Sequence, residues 1–315
     1  MAFSGKRTRV STYVSAWMPT GDETPDRGGW AGGDDNSAVS NVIDYVQFST
    51  LGNAVDFGDL SSVTGEEKGA ACSSTRAVIA GSQLGMEYIT IATTGNGTNF
   101  GDRTVNTVYN SGFGCSSSTR GLFGGGRISG VYQNVIDYIT IASIGNATDF
   151  GDLTVARAYP VALSSPTRGV WSCGYTSTFV DTIDYVTIAS TGNATDFGDY
   201  VRVSYYVGAC ASDTRGLISG GGASNVWYND ITYITIATTG NTTDFGDMTY
   251  ARAAHEGISS TTRGLFGGGY DTGNNELNVI DYVTIATTGN ATDFGDLTVS
   301  RTKMGNFSSG HGGLG

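Results

Sequence analysis

The segments NVIDYVTIATTGNATDFGDLTVSR (278–301) and NVIDYITIASIGNATDFGDLTVAR (134–157) differ at only four positions, and shorter versions of the same phrase recur four more times. With the Phe of the D/N-F-G-D core as a ruler, the copies fall at Phe57, Phe100, Phe150, Phe197, Phe245 and Phe294, at spacings of 43, 50, 47, 48 and 49. A period of 20–50 residues marks a solenoid, a propeller or an array. The repeat cores lie near 27–59, 76–102, 120–152, 168–199, 215–247 and 263–296, so residues 1–315 read as one domain, with 1–10 and 303–315 as closing or docking termini.

Repeat six shows what one unit folds into. RGLFGGG (263–269) is a short apolar strand ending in glycines, and VIDYVTIAT (279–287) is a longer strand rich in β-branched residues. TGNATD supplies the Gly and Asn that a tight hairpin requires, and FGDLTVSR (294–301) follows as a third strand. A small-residue segment of the type AYPVALSS (158–165) gives the fourth. In the order small-residue, Arg-led, Asp-Tyr and Phe-Gly-Asp, these are strands a, b, c and d. No stretch keeps a 3.6-residue apolar period, so the expectation is all-β with essentially no helix. Four antiparallel strands in this length make a propeller blade, which buries both faces only when blades pack around an axis. The expected fold is a six-bladed β-propeller. The 48 glycines among 315 residues fit many short strands and tight turns.

Arg27, Arg76, Arg120, Arg168, Arg215 and Arg263 each begin a b strand. Three residues later comes Trp30, Ile79, Phe123, Trp171, Ile218 or Phe266, a large side chain suited to the space between blades. Glycine then follows in five repeats, with Cys173 as the exception. Asp59, Asp102, Asp152, Asp199, Asp247 and Asp296 close the F-G-D cores. Six equal copies read as a structural lock, each Arg pairing with a carboxylate or a carbonyl within or between blades. An enzyme needs one asymmetric constellation.

The apolar strand ending in a double glycine, the Asp-Tyr of strand c and a d strand leading to Arg157, Arg252 and Arg301 resemble a kelch-type β-propeller over residues 9–309, with Phe where kelch repeats carry Trp after strand c. The phrase TIATTGNATDFGDLT is similar to repeats in structural, tail-fibre-like proteins of marine tailed phages. That resemblance implies a virion protein made in the host cytoplasm, with other virion proteins as partners, homo-oligomerisation as an option, and a host-surface glycan or protein as receptor. T-D-F-G-D-L-T partly resembles the turn-stabilising Asp-box of sialidases, which keeps a propeller carbohydrate-active hydrolase open as an alternative beside an intracellular interaction scaffold.

Net charge of −12 argues against a nucleic-acid partner. No run approaches the roughly 20 apolar residues of a membrane span, and the basic start with Lys6, Arg7 and Arg9 lacks the apolar stretch of a signal peptide, so no membrane insertion is expected. Cys72, Cys115 and Cys210 hold matching places in different repeats and read as buried apolar fillers, not disulfide partners. His255 and His311 have no metal-ligand spacing, and the glycine triplets at 124–126 and 267–269 have no following Lys-Ser/Thr, so neither metal nor cofactor is expected. Asn96, Asn146, Asn193, Asn241 and Asn290 stand in N-x-T within the same hairpin and read as turn residues.

The a–b and c–d turns, which share one face of a propeller, repeat almost unchanged, whereas the b–c loops on the opposite face vary: 34–41, 83–85, 127–134, 175–182, 222–230 and 270–278. Variation among copies on a rigid scaffold marks where copies do different work. These loops carry Tyr132, Tyr175, Phe179, Trp227, Tyr228 and Tyr270 beside Asp34, Asp35 and Asp271, a set suited to a glycan or a protein partner. Candidate a strands at both 11–17 and 303–309 leave one spare for docking on a neighbour.

Overall fold

The computed structural model describes residues 26–35, 38–61, 68–81, 84–106 and 114–314. They form six four-stranded antiparallel sheets, blades 1 to 6 of a propeller. Blade 1 takes strand a from Gly305–Ser308 and strands b, c and d from Arg27–Ala31, Val42–Gln47 and Val55–Asp59. Blade 2 is Gly69–Cys72, Arg76–Ala80, Gly85–Thr90 and Thr98–Asp102, and blade 3 is Gly114–Ser116, Arg120–Gly124, Val135–Thr140 and Thr148–Asp152. Blade 4 is Val161–Ser164, Arg168–Ser172, Val180–Thr187 and Thr195–Ser204, and blade 5 is Gly208–Ala211, Arg215–Ser219, Asp230–Thr235 and Thr243–Asp247. Blade 6 is Glu256–Ser259, Arg263–Gly267, Val279–Thr284 and Thr292–Asp296. The a strands contact one another in a closed ring and so lie nearest the axis. Among the described residues the sole helical piece is a 3-10 turn, Gly312–Leu314.

Of the two candidate closing strands, 303–309 completes blade 1, pairing Phe307 with Gly29 and Asn306 with Trp30. The segment 11–17, the basic residues Lys6, Arg7 and Arg9, and Gln83 of the shortest b–c loop lie outside the described residues. Strand d is shorter than expected. It stops at the Asp of F-G-D in blades 1, 2, 3, 5 and 6, and the L-T-V-S-R phrase is a turn and link.

That link explains the repeated phrase. Arg157, Arg252 and Arg301 leave one blade and pair with Asp184, Asp281 and Asp44 in strand c of the next, at 2.9, 2.9 and 2.5 Å, with both side chains fully buried. Arg103 makes the same bond to Asp137 at 3.0 Å. A threonine of the same link donates to the second carboxylate oxygen: Thr249 to Asp281 at 2.6 Å, and likewise Thr154 to Asp184, Thr298 to Asp44 and Thr104 to Asp137. In three copies a T-x-x-R thus clasps the I-D-Y of the next, and after blade 2 the adjacent Arg103 and Thr104 do the same. A charge removed from water this completely needs a partner and further hydrogen bonds to be tolerated.

The expected lock of the b-strand arginines, to a carboxylate or a carbonyl within or between blades, takes its carbonyl form between blades. The arginines that open strand b reach carbonyls at the end of strand c in the following blade: Arg76 to Ile141 at 3.0 Å, Arg120 to Ile188 at 2.8 Å, Arg168 to Ile236 and Arg215 to Ile285 at 2.9 Å, with Arg27 and Arg263 bonding Ala92 and Phe48. Each also stacks on the Tyr of its own strand c, at 4.5–4.8 Å to the ring centroid. The F-G-D carboxylates of Asp59, Asp102, Asp152, Asp199, Asp247 and Asp296 enter none of the ion pairs among the described residues. Their backbone does the work instead. Each Asp N–H donates to the turn Asn of the next blade at 3.0–3.1 Å, onto Asn96, Asn146, Asn193, Asn241, Asn290 and Asn53 in turn.

The backbones come close enough here to dictate glycine. The Gly of F-G-D has φ of 146–150°, and a Cβ on Gly246 would lie 2.5 Å from the carbonyl of Gly289 in the next blade. The expected large residue of strand b does fill the space between blades: Trp171 lies against Gly124 and Trp30 against Gly267. The apolar side chains accordingly form six clusters, each shared by two adjacent blades. All four cysteines are free and buried, and Cys173 holds φ of 62° where neighbouring repeats use glycine.

One seam differs. Between blades 4 and 5 the link Arg is Ser204 and the strand c acid is Thr232, so both halves of the buried pair are replaced together. Tyr200 fills the space beside Thr232, and Arg202 instead makes a half-exposed bidentate pair with Asp230, both bonds at 2.8 Å.

Replacing Arg157 by Ala leaves Asp184 buried without its counter-charge, and chemical denaturation is expected to show a loss of about 3–5 kcal/mol. Asp152→Ala, which removes a carboxylate outside the ion pairs, is expected to change stability by less than about 0.5 kcal/mol. Gly246→Ala, forced against the next blade's turn, is expected to cost at least about 1–3 kcal/mol.

Candidate functional site

The two ends of the axis are chemically different. At the end carrying the a–b and c–d turns, the inner strands are knitted by serines: Ser116 Oγ donates to the Cys72 carbonyl and Ser164 Oγ to the Ser116 carbonyl, both at 2.9 Å, and Ser259 Oγ to Ala211 at 2.8 Å. The 3-10 turn covers this end, because Gly312 and Gly313 lie so close to the carbonyls of Ser164, Ser212 and Ser116 that a Cβ would collide with them. His311 holds the turn in place. Its Nδ1 accepts from the Gly313 N–H at 3.0 Å, which puts the proton on Nε2, within 3.3 Å of the Cys72 carbonyl. Burial holds this imidazole down at about 4, opposed by that carbonyl bond. The axial cavity is about 50 Å³, room for a few waters. Among the described residues its lining is Gly, Ala, Ser, Cys, Leu, Ile, Phe, Asn306 and His311.

The opposite end carries the b–c loops and the d–a links. Here eight aromatic side chains from four consecutive blades touch in one connected group: Tyr132, Tyr159, Tyr175, Phe179, Tyr205, Tyr206, Trp227 and Tyr270. Tyr205 is the hub, with ring centroids 4.3 Å from Tyr206, 5.0 Å from Phe179, 5.8 Å from Tyr159 and 5.9 Å from Trp227. Most pairs are edge-to-face or tilted, the geometry in which aromatic quadrupoles attract. Trp227 is buried and the rest are half-buried.

Backbone pairing fixes this group. Four of the b–c loops return to the d–a link that leads into their own blade: Tyr175 exchanges hydrogen bonds with Ala158 at 2.8 and 2.9 Å, Gly222 with Tyr205, Tyr270 with Ala253, and Asp34 with Thr302. The next link residue takes a positive φ in each case: 57° at Tyr159, 58° at Tyr206, 55° at Ala254 and 55° at Lys303. These residues also bond around the axis, Lys303 N–H to Ala254 and Ala254 N–H to Tyr206, each at 2.9 Å.

Five of the nine residues singled out from the variable loops therefore meet: Tyr132, Tyr175, Phe179, Trp227 and Tyr270. Tyr228 stands apart under the Arg202 guanidinium, 4.0 Å from its ring. Asp34 lies 3.9 Å from Lys303 Nζ, and Asp35 bonds within its own loop through its N–H. The Asp271 carboxylate accepts from the side chain and N–H of Asn275 and from the Gly273 N–H, which folds its loop and holds its carboxyl below the usual range. The residues missed were Tyr159, Tyr205 and Tyr206. They sit on the d–a links, which share the variable face, and the signal was present as Tyr where the sixth copy has Thr-Lys and the fifth Ala-Ala.

Among the described residues no group of His, Cys, Asp and Glu is arranged to hold a metal ion. No described helix is long and apolar enough to cross a membrane. No protein-family model matches the chain, and no curated protein matches it.

Because the folded state holds His311 neutral while the unfolded chain titrates near 6.5, its contribution to stability is complete above about pH 6.5 and is lost as pH falls towards about 4. Thermal melts across that window should fall more steeply for the native chain than for His311→Asn. Parallel slopes would show that the turn does not depend on the neutral ring.

Proposed function

We propose that this chain is a non-enzymatic structural protein of a phage particle, a kelch-like propeller serving as a tail-fibre, receptor-binding or surface-accessory component. The observation that carries the attachment role is the connected aromatic group on the variable face. Half-buried tyrosines on a rigid frame, backed by the buried Trp227, give contact area with little conformational entropy to lose, a property of recognition surfaces. The virion assignment draws on the likeness of the repeated phrase to phage structural repeats, and the acidic surface agrees with a protein working in a crowded assembly without binding nucleic acid. Copies of the chain around a tail or capsid would present several such faces together, so individually weak contacts gain from effective concentration.

A cryo-electron microscopy map of the native particle tests this reading. Density for the propeller at an exposed tip with Tyr205 and Tyr270 facing outward is the expected result. Burial of that face against another particle protein would make the chain an adaptor and remove the receptor-binding role, and absence of the chain from the particle would remove the virion assignment.

A further inference from the structure

We propose that the aromatic group is a platform for uncharged saccharide, centred on Tyr159, Tyr205 and Tyr206. The proposal names the ligand class of the attachment face and rests on that reading. Three observations lead to it.

The first is that bulk is placed where backbone geometry disfavours it. Tyr159 and Tyr206 occupy left-handed φ of 57° and 58°, a region where side chains other than Gly, Asn and Asp are uncommon. Blade 6 meets the same requirement with Ala254, so the fold itself does not ask for tyrosine. Strain of this kind persists where the side chain has a use.

The second is the chemistry of the surface. Phe179 aside, the half-buried rings at its centre are tyrosines, each joining an apolar face to a hydroxyl. A pyranose offers the complement, an apolar face of C–H groups with a rim of hydroxyls. Burial, followed by the neighbouring Tyr159, raises the Tyr205 phenol above its ordinary value, so it stays a neutral donor and acceptor at working pH.

The third is charge. The ions bordering the group are already matched: Lys303 with Asp34 on the axial side, Arg202 with Asp230 on the outer side, and Asp271 within its own loop. A charged peptide would find few free counter-charges there. Arg127 is the exception, stacked on Tyr132 at 5.2 Å on the margin and joined to no carboxylate among the described ion pairs. It is the place where an acidic sugar would bind instead, which the test separates.

The full chain is applied to an array of uncharged hexose and N-acetylhexosamine oligosaccharides alongside uronate oligomers, and hits are titrated by calorimetry. Tyr205→Ala and Tyr206→Ala install the residues that blade 6 carries at the matching places, Ala253 and Ala254, so both are expected to fold. Saturable binding to an uncharged oligosaccharide, weakened about tenfold by either substitution and unchanged by Tyr250→Ala on the exposed link of blade 5, is the expected outcome. No binding across the uncharged set, equal binding by the variants, or tighter binding of uronates that depends on Arg127 would each overturn it. An outward-facing platform on the particle combined with failure on the array would retain the attachment role and eliminate the saccharide class.

Discussion

The buried clasp between consecutive blades is the interaction on which the rest of the molecule depends. A four-stranded sheet of this size has two apolar faces and cannot bury either alone. At four of the six seams one blade hands an Arg and a Thr across the gap to a fully buried Asp of the next. At the outer edge the same neighbours are zipped by the turn Asn and by the N–H of Gly52, Gly95 and their equivalents bonding the preceding Phe carbonyl. Apolar packing supplies the driving force, whereas the clasp and the zipper fix the rotation of one blade on the next. Arg301 and Asp44 make that contact between the last repeat and the first, so the ring closes with the same chemistry that builds it.

Repetition at this level was legible in the sequence, because the geometry that needs it is local. Gly295 has to let the backbone of Gly52 approach, Asn290 has to receive the Asp247 N–H, and Phe294 has to fill the core beside Tyr282, so each leaves an unchanging letter every 43–50 residues. The pairing of those letters was not legible. The expected lock left open whether each b-strand Arg meets a carboxylate or a carbonyl, and Arg263 meets the Phe48 carbonyl of the next blade. The b-strand arginine lies over a tyrosine and ends at a carbonyl, and the acid that needs a cation is the buried Asp281. Burial, which a sequence does not display, decides which of several conserved-looking charges must pair.

The variable face shows the same limit in another form. Loop variation pointed to five rings that do meet, but the hub, Tyr205, comes from a d–a link and not from a b–c loop. What brings Tyr205 to Phe179 and Trp227 is a pair of hydrogen bonds with Gly222 between link and loop. Asp34 and Asp271 looked equally suited to a ligand, yet the structure engages both, one with Lys303 and the other in its own turn. A carboxylate already satisfied by its neighbours has less to offer a ligand than an aromatic face that is rigid and still open to solvent.

Asymmetry in a repeat protein is informative because the default is copying. At the seam between blades 4 and 5 both members of the buried pair have been exchanged, Arg for Ser204 and Asp for Thr232, which avoids the uncompensated charge that either change alone would leave. The polar contact moves outward to Arg202 and Asp230, and the residue immediately after Ser204 is the aromatic hub. The junctions clasped by Arg157, Arg252 and Arg301 carry Ala158, Ala253 and Thr302 at that place. At the seam between blades 4 and 5, where no buried clasp is present, the link carries two adjacent tyrosines that pack onto Phe179, Trp227 and Tyr270. The rings of the variable face thus also brace this seam, which ties the rigidity of the aromatic group to the integrity of the ring beneath it.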